Sequence, residues 1–330
     1  MQVISITQRE AGQRLDKLLS KYLNSAPKSF IYKMLRKKNI VLNEKKAEGN
    51  EKLKEGDEVK LFLAKETIEK FSKPIMMGKE GKNRKKALNI IYEDEHILFI
   101  NKPAGVLSQK AKETDISLVE MILSYLEEKG SDFSLCRPSV CNRLDRNTSG
   151  IVIAGKTVVG LQEMSRILKE RSASKFYLCL VKGKIERGAF LEGYLTKEGE
   201  RNQVIIKETS SSEKDLPIKT QYIPLACNRE VTLLKVKLIT GRSHQIRAHL
   251  ASIGHPIIGD GKYGELKSNQ KFQEKYHLKS QLLHSYQFVM PDITGCLSYL
   301  SNRTFYAPLP ENFKIVLEGE GLWQHGILED

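Results

Sequence analysis

The stretch Asn142-Arg143-Leu144-Asp145-Arg146-Asn147-Thr148-Ser149-Gly150 runs straight into Ile151-Val152-Ile153-Ala154. A charged loop feeds an apolar, β-branched run, the pattern of a polar turn set on a buried strand. Thr148, Ser149 and Gly150 supply the side-chain hydrogen bonds and backbone freedom of a tight turn. Loops carried by a rigid strand are where catalytic groups tend to sit. Taken alone, the Arg-x-Asp pair fits an ordinary Asx turn with a surface ion pair at least as well.

Working outward, apolar alternation predicts strands over 90–92, 96–101, 151–154, 176–181, 232–238 and 281–288. Helical spacing predicts helices over 117–129, 158–170 and 243–253. This interleaving points to an α+β fold built on a large mixed, mostly antiparallel sheet with flanking helices. Segment 199–217, with Ser210-Ser211-Ser212, reads as an exposed loop.

The chain has 330 residues, enough for about two domains. Residues 1–86 hold 22 Lys/Arg against 11 Asp/Glu, a net of +11, and the rest holds 32 against 29, a net of +3. Concentrated positive charge of this kind fits a polyanionic partner, or a merely solvated basic face. Within that basic part, Leu15, Leu18 and Leu19 mark a short amphipathic helix over 13–23, and Pro27 opens a second that turns Ile31, Met34 and Leu35 inward. Short strands follow at 40–42 and 59–63. We place a small domain at 12–65, a basic linker at 66–86 with Lys79, Lys82, Arg84, Lys85 and Lys86, and a larger domain at 87–320.

Several classes are disfavoured. No run approaches the ~20 apolar residues of a membrane helix, and the first residues are strand-like rather than leader-like, which reads as a cytoplasmic protein. The five cysteines are odd in number and form no CxxC pair, against a disulfide framework or structural zinc. Phosphate-loop, dinucleotide and GxSxG patterns are absent, so no nucleotide cofactor is expected. His244, His249 and His255 raise a metal, but no HExxH-type carboxylate accompanies them, and neither metal nor other cofactor is expected.

Three further stretches could carry chemistry. Thr240-Gly241-Arg242-Ser243-His244-Gln245-Ile246-Arg247 lies between a strand and a helix, with two arginines bracketing the helix start. Asn101-Lys102-Pro103-Ala104-Gly105 closes a strand, and Lys175-Phe176-Tyr177 opens another.

Together these segments resemble the RluA-like pseudouridine synthases, which isomerise uridine in RNA. The family signature Arg-Leu-Asp-x-x-Thr-Ser-Gly stands complete at 143–150. In order along the chain, Glu93–His96, Asn101–Gly105, Lys175–Tyr177, Thr240–Arg247, Gly254–Asp260 with Tyr263-Gly264, and Leu283-His284 also match, spanning about 90 to 290. The amino-terminal part, with Arg14-Leu15-Asp16-Lys17 and Pro27-Lys28-Ser29 before Ile31-Tyr32, is similar to the RNA-binding module named after ribosomal protein S-four. The arrangement is most similar to the RluC-type branch, which acts on 23S ribosomal RNA. One position departs: the family usually has His before Arg-Leu-Asp, and here it is Asn142. We expect its amide to take over a loop hydrogen bond.

The resemblance implies roles. Asp145 would act at the ribose, as nucleophile at C1′ or base at C2′, with Arg247 paired to it. Tyr177 would stack on the uracil and assist loss of the C5 proton. Arg143 would fill the gap left by the flipped base, with Leu144, Thr148, Arg242, His244 and Gln245 about the substrate pocket. Arg14, Lys17, Lys28, Ser29, Tyr32, Arg36, Lys37 and Lys38 would contact RNA, the expected partner being 23S rRNA or its precursor, bound by a monomer. The competing readings are a non-catalytic ribosome-binding or assembly factor and a metal-dependent RNA hydrolase.

Overall fold

The computed structural model describes residues 1–72, 87–112, 115–131, 135–198 and 203–323. At the amino terminus, β1 (Gln2–Ser5), α1 (Leu15–Tyr22), α2 (Lys28–Arg36), β2 (Ile40–Leu42), β3 (Lys45–Lys46) and β4 (Glu58–Leu61) form a small unit. Its strands make an antiparallel sheet in the order β1-β4-β2-β3. Leu15, Leu18 and Leu19 of α1 and Ile31 and Leu35 of α2 share one face each and close over Ile4, Ile40, Val59 and Leu61. Met34, expected inward, only flanks that core.

Two expectations here need correction. Residues 2–5 belong to this sheet, ahead of the boundary placed at 12, because β1 pairs with β4 along its whole length. The presumed linker begins as helix α3 (Lys65–Phe71), whose Phe71 ring lies 4.7 Å from Phe30. Lys79, Lys82, Arg84, Lys85 and Lys86 fall outside the described residues.

The second unit is an 11-stranded sheet. Its elements are β5 (Ile90–Glu93), β6 (Ile97–Lys102), α4 (Leu118–Glu128), β7 (Ser139–Val140), β8 (Ser149–Gly155), α5 (Val158–Glu170), β9 (Ser174–Lys182), β10 (Ala189–Glu198), β11 (Gln203–Lys207), β12 (Leu216–Cys227), β13 (Val231–Leu238), α6 (Gln245–Ser252), α7 (Leu266–Tyr276), β14 (Leu283–Val289), β15 (Thr304–Tyr306) and α8 (Glu311–Gly319). The order is β11-β10-β12-β13-β9-β14-β8-β6-β5, with β7 on β8 and β15 on β14. Only the β14–β8 pair is parallel among the described strands. The reading of 199–217 as loop is therefore corrected: β11 and the start of β12 lie in it. Alternation there is visible as buried Val204 and Ile218 between exposed neighbours, but the serine run masks it in the sequence.

Period-two burial divides the sheet among several cores, one of them packing Leu178, Leu180 and Leu233 against α7 and α8. Leu98, Ile100, Val152, Ala154, Tyr177, Cys179, Leu234 and Val236 face α4 and α6, while Phe99, Ile151, Ile153 and Phe288 face α5. Ser117 and Glu120 form a capping box on α4, and Thr157 caps α5 by accepting from the Gly160 N–H at 3.0 Å. The two units touch where the Val158 N–H donates to the Arg9 carbonyl (3.0 Å) and Leu135 packs on the small core.

β14 enters late, before only the short β15, and lies between β9 and β8, so it joins two half-sheets. At the junction Gly150 has φ +107°, and a Cβ there would stand 2.2 Å from the Ser285 carbonyl oxygen. That oxygen belongs to backbone and cannot rotate away. Gly150→Ala is expected to lower the unfolding free energy by about 3 kcal/mol or more. Denaturant unfolding would check it; an unchanged midpoint would mean that β8 and β14 part at no cost.

Candidate active site

The loop 142–148 is fastened from below at five points. The Asn142 amide behaves as an added strand residue: its Nδ2 donates to the Ile151 carbonyl (3.2 Å) and its Oδ1 accepts from the Ile153 N–H (2.7 Å). The loop hydrogen bonding expected of this substitution is present. Ser108 Oγ donates to the Leu144 carbonyl and accepts from its N–H, at 2.8 and 3.0 Å. Thr148 Oγ1 accepts from Gln281 Nε2 at 3.1 Å. Ser149 Oγ bonds His284 Nδ1 (2.8 Å), whose Nε2 meets the Ala307 carbonyl (3.1 Å). Burial brings His284 down to about 4, so it is neutral, with its proton on Nε2 toward that carbonyl.

The fifth fastening is Lys102, fully buried at the end of β6. Its ammonium donates to the carbonyls of Pro103 (3.0 Å), Val106 (2.8 Å) and Arg146 (3.1 Å). All three donors are used, and two turns are drawn onto one point. Burial pulls this amine down to about 7, while the nearby charge of Asp145 acts the other way.

Leu144 and Thr148, expected at the substrate pocket, are both buried beneath the loop and hold it. Along the loop these two turn down, while Arg143 and Arg146 are exposed and Asp145 stays partly open between them. Asp145 keeps 28% of its side chain open to solvent.

Opposite stands α6. Gln245, expected at the substrate pocket, is buried and fully hydrogen-bonded. Its Oε1 accepts from Thr240 Oγ1 (2.8 Å) and the Arg242 N–H (3.1 Å), and its Nε2 donates to the Lys219 carbonyl and Thr220 Oγ1, both at 3.0 Å. This locks the turn into the helix, with His244 in the left-handed region at φ 57°. One turn on, Arg247 is 7% exposed and forks between two carboxylates. Nη1 donates to Asp145 Oδ2 at 2.7 Å, while Nε and Nη2 donate to Asp260 Oδ2 and Oδ1 at 2.7 and 2.8 Å. Burial opposes the guanidinium's charge, but the bonds to Asp260 and Asp145 outweigh it and its pKa is raised. For Asp260 burial is likewise outweighed, by Arg247 and the N–H groups of Lys262 and Tyr263, so its pKa is lowered.

Tyr263 completes this wall. Its ring lies 5.2 Å from the Arg247 guanidinium carbon. Its hydroxyl accepts from the Val204 N–H (2.9 Å) and stands 3.0 Å from His244 Nδ1. With its acceptor side taken by Val204, the phenol donates to Nδ1. Burial lowers the His244 pKa, so the neutral ring carries its proton on Nε2, which is 3.8 Å from Asp145 Oδ2. His249 and His255 diverge, to Thr220 Oγ1 (3.0 Å) and the Lys182 carbonyl (2.8 Å). Among the described residues no three His, Cys, Asp or Glu side chains gather as a metal site.

Tyr177, on β9, is buried beside Asp145 and Ser285. Burial first, and then the Asp145 charge, push its phenol up to about 12 against a hydrogen bond from Ser285. Asp145, Arg247, Tyr177 and His244 thus converge, while Arg143 and Arg242 rim the site. Sequence reasoning misses Asp260, Tyr263 and Lys102 as parts of this wall. Their signal is an aspartate soon after the apolar run Ile257-Ile258 and a lysine ending an apolar strand, charges that a buried position keeps only when partnered.

On the small unit Lys17, Lys28, Ser29, Tyr32, Arg36, Lys37 and Lys38 are exposed. Lys28, Tyr32 and Arg36 follow at i, i+4 and i+8 along α2 and so share a stripe that flanks the buried Ile31 and Leu35. Arg14 is tied bidentately to Asp16 (3.0 and 3.2 Å), which also accepts from Tyr32 Oη (3.0 Å). Arg14 and Tyr32 therefore present an ordered corner between the two helices.

Residues 96–252 match the RNA pseudouridylate synthase family model and residues 13–59 the S4 domain model. The chain is 32% identical over 294 residues to the ribosomal large subunit pseudouridine synthase C of Salmonella typhi, covering 86% of this chain and 87% of that one. With the synthase C of Escherichia coli K12 it shares 32% identity over 282 residues, 83% of each. With that of Buchnera aphidicola it shares 31% over 326 residues, 94% of this chain and 95% of the other. In fold, human RNA pseudouridylate synthase domain containing 4 is similar, with a TM-score of 0.58 at 19% identity over 72% of this chain and 94% of that one. The loop that carries Asp145, the arginine that grips it and the length of these matches place the chain in the RNA pseudouridine synthase family.

Proposed function

We propose that this chain converts specific uridines to pseudouridine in large-subunit (23S) ribosomal RNA or its precursor, in the cytoplasm and as a monomer. The observation that carries the reading is the open Asp145 carboxylate, gripped by an Arg247 whose Nε and Nη2 are held by Asp260. The ribosomal substrate is supported by the names of the relatives and by the basic, S4-like unit. All the residues assigned to the site come from one chain.

The chemistry is an isomerisation. The N1–C1′ bond breaks, the uracil rotates, C5 bonds to C1′, and the C5 proton is lost as N1 gains one. Asp145 serves at the sugar, as nucleophile at C1′ or as base at C2′. Arg247 fixes the orientation of the carboxylate, so that one oxygen is bound and the other faces the opening. The target leaves its stack to enter, at a cost of roughly a few kcal/mol when it is paired. Arg143, exposed at the rim, fills the space it leaves. Tyr177 supports the uracil ring. Because its phenol lies so high, only a small ionised fraction can take the C5 proton at neutral pH.

Asp145→Asn should keep RNA affinity and abolish tritium release from RNA labelled at uridine C5. Turnover near that of the parent would remove Asp145 from its role, and a parent that releases no tritium would point to the non-catalytic reading. Tyr177→Phe keeps the ring and loses the hydroxyl, so it should cleave the glycosidic bond yet form pseudouridine slowly. Where the phenolate is the base, the parent's deprotonation step should also quicken as pH rises from about 7 toward 10, since the folded pKa of about 12 lies above that window. Equal product rates for the Phe and Tyr enzymes would dismiss the hydroxyl.

Removing residues 1–86 should weaken RNA binding far more than it harms chemistry on a short RNA at saturation. The slope of log affinity against log salt should flatten by roughly 0.7 to 0.9 for each phosphate no longer neutralised. An unchanged slope on full-length RNA would show that the basic unit is not the anchor.

A further inference from the structure

Beside the catalytic residues, and including Arg242 at the rim of the site, lie cations to which no step of the isomerisation has been assigned. Lys175 is on β9 two residues before Tyr177, so strand alternation turns both side chains to one face, about 6.5–7 Å apart along the strand. Its ammonium is half-buried and sits against the turn that leads into α6: a Cβ built on Gly241 would stand 3.5 Å from Lys175 Nζ. The next residue is Arg242. Its Nε is shielded from solvent and has no hydrogen-bond partner among the described residues. Arg171, exposed at the left-handed end of α5, lies near enough to Lys175 for its charge to be felt there. Among the described residues none of these three side chains has an acidic partner. Elsewhere in this wall the buried cations are fully matched: Lys102 by three carbonyls and Arg247 by two carboxylates.

Half-burying Lys175 without counter-charge beside the turn that carries Arg242 opposes folding, and the unmatched Arg242 N–H adds to that penalty. Such an arrangement is stabilised when an anion enters. Gly241 carries no side chain, so the surface beside the Lys175 ammonium stays uncovered where a larger residue would lie in contact with it. Sulfur and carboxylate ligands of this chain are not at hand, and the group opens on the rim from which a flipped nucleotide must arrive.

We propose that Lys175, Arg242 and Arg171 form a binding site for a single RNA backbone phosphate adjoining the uridine that enters toward Asp145. This inference rests on the reading of the chain as an RNA uridine isomerase and adds the group that registers the strand. The guanidinium of Arg242 supplies a planar pair of donors to the phosphate oxygens, Lys175 a compact charge behind them, and Arg171 the outer charge. By fixing one phosphate, the site sets how far the flipped sugar reaches past Tyr177. It should act on the placement of C1′ as well as on affinity.

The test is a charge-removal cycle on both molecules. The probe is a short single-stranded RNA with one uridine, made with ordinary linkages or with one uncharged methylphosphonate linkage at each position around that uridine. Binding is measured to the full-length Asp145→Asn protein and to the same protein with Lys175→Gln, Lys175→Arg or Arg242→Gln. On the ordinary RNA, the Gln changes should weaken binding about tenfold and flatten the log–log salt slope by about 0.7 each. Lys175→Arg should restore most of the affinity, which a packing role would not allow. At one linkage position alone, the methylphosphonate RNA should bind the Gln and Lys forms equally.

An effect of Lys175→Gln that is the same for every linkage, or no effect at all, would overturn the proposal. Tritium release by the unmutated protein is measured in parallel. Release without coupling to a linkage defeats only the phosphate site, whereas coupling without release leaves the site standing and defeats the isomerase reading.

Discussion

One guanidinium ties the structure's chemistry to its fold. Arg247 sits on a short helix, reaches across to the loop after β7 with one N–H, and gives its other two bonds to a buried aspartate. The fork requires that three segments, two of them far apart in sequence, meet within hydrogen-bond reach. Charge decides the outcome: an unpaired guanidinium at that depth would cost several kcal/mol, roughly 3–5, as would an unpaired Asp260. The pair Arg247–Asp260 therefore forms the fixed post, and Asp145, the more open carboxylate, is the movable end that substrate can engage. Because Asp260 also receives the N–H groups of Lys262 and Tyr263, the post extends into the turn that places Tyr263, and through Tyr263 to the tautomer of His244.

How much of this is legible in the sequence follows from what each residue type can hide. The strands β6, β8, β9 and β13 are written as β-branched and leucine runs, and the sequence places them within a few residues. Strands β10, β11 and β12 escape because one face is open: Lys, Glu and Thr alternate there with Leu and Ile, and a serine turn interrupts them. Helices α7 and α8 escape because each buries only a narrow stripe, with Phe272 the single fully covered residue of α7. At the site, Asp145, Arg247 and Tyr177 come from an ordered set of short motifs. Thr148, Leu144 and Gln245 come from the same motifs, and the structure turns them inward. A motif marks residues that the site cannot do without, and it does not separate those that meet the ligand from those that hold the loop. Burial makes that separation.

The amino-terminal unit is held together differently. Its core is thirteen aliphatic side chains, and nearly all its charge is outside. Its one buried charge among the described residues, Glu10, is held locally by the N–H and hydroxyl of Thr7 and reaches no distant segment as Arg247 does. Its fold can thus tolerate variation across its basic face, whereas the larger unit depends on a few matched groups.

The insertion of β14 between β9 and β8 has a consequence for the order in which the protein becomes competent. Asp145 lies in the half-sheet made by β5, β6 and β8, and Arg247 follows the half made by β9 to β13. Until residues 283–289 are available, the neighbouring edges of β8 and β9 have no strand to share, and Ser149 lacks His284, its partner 135 residues away. A ribosome making this chain releases the RNA-gripping unit first and the seam of the sheet near the end. Two open edges therefore persist through most of synthesis, and such edges invite pairing with other chains. The nascent protein can hold RNA well before it can alter it.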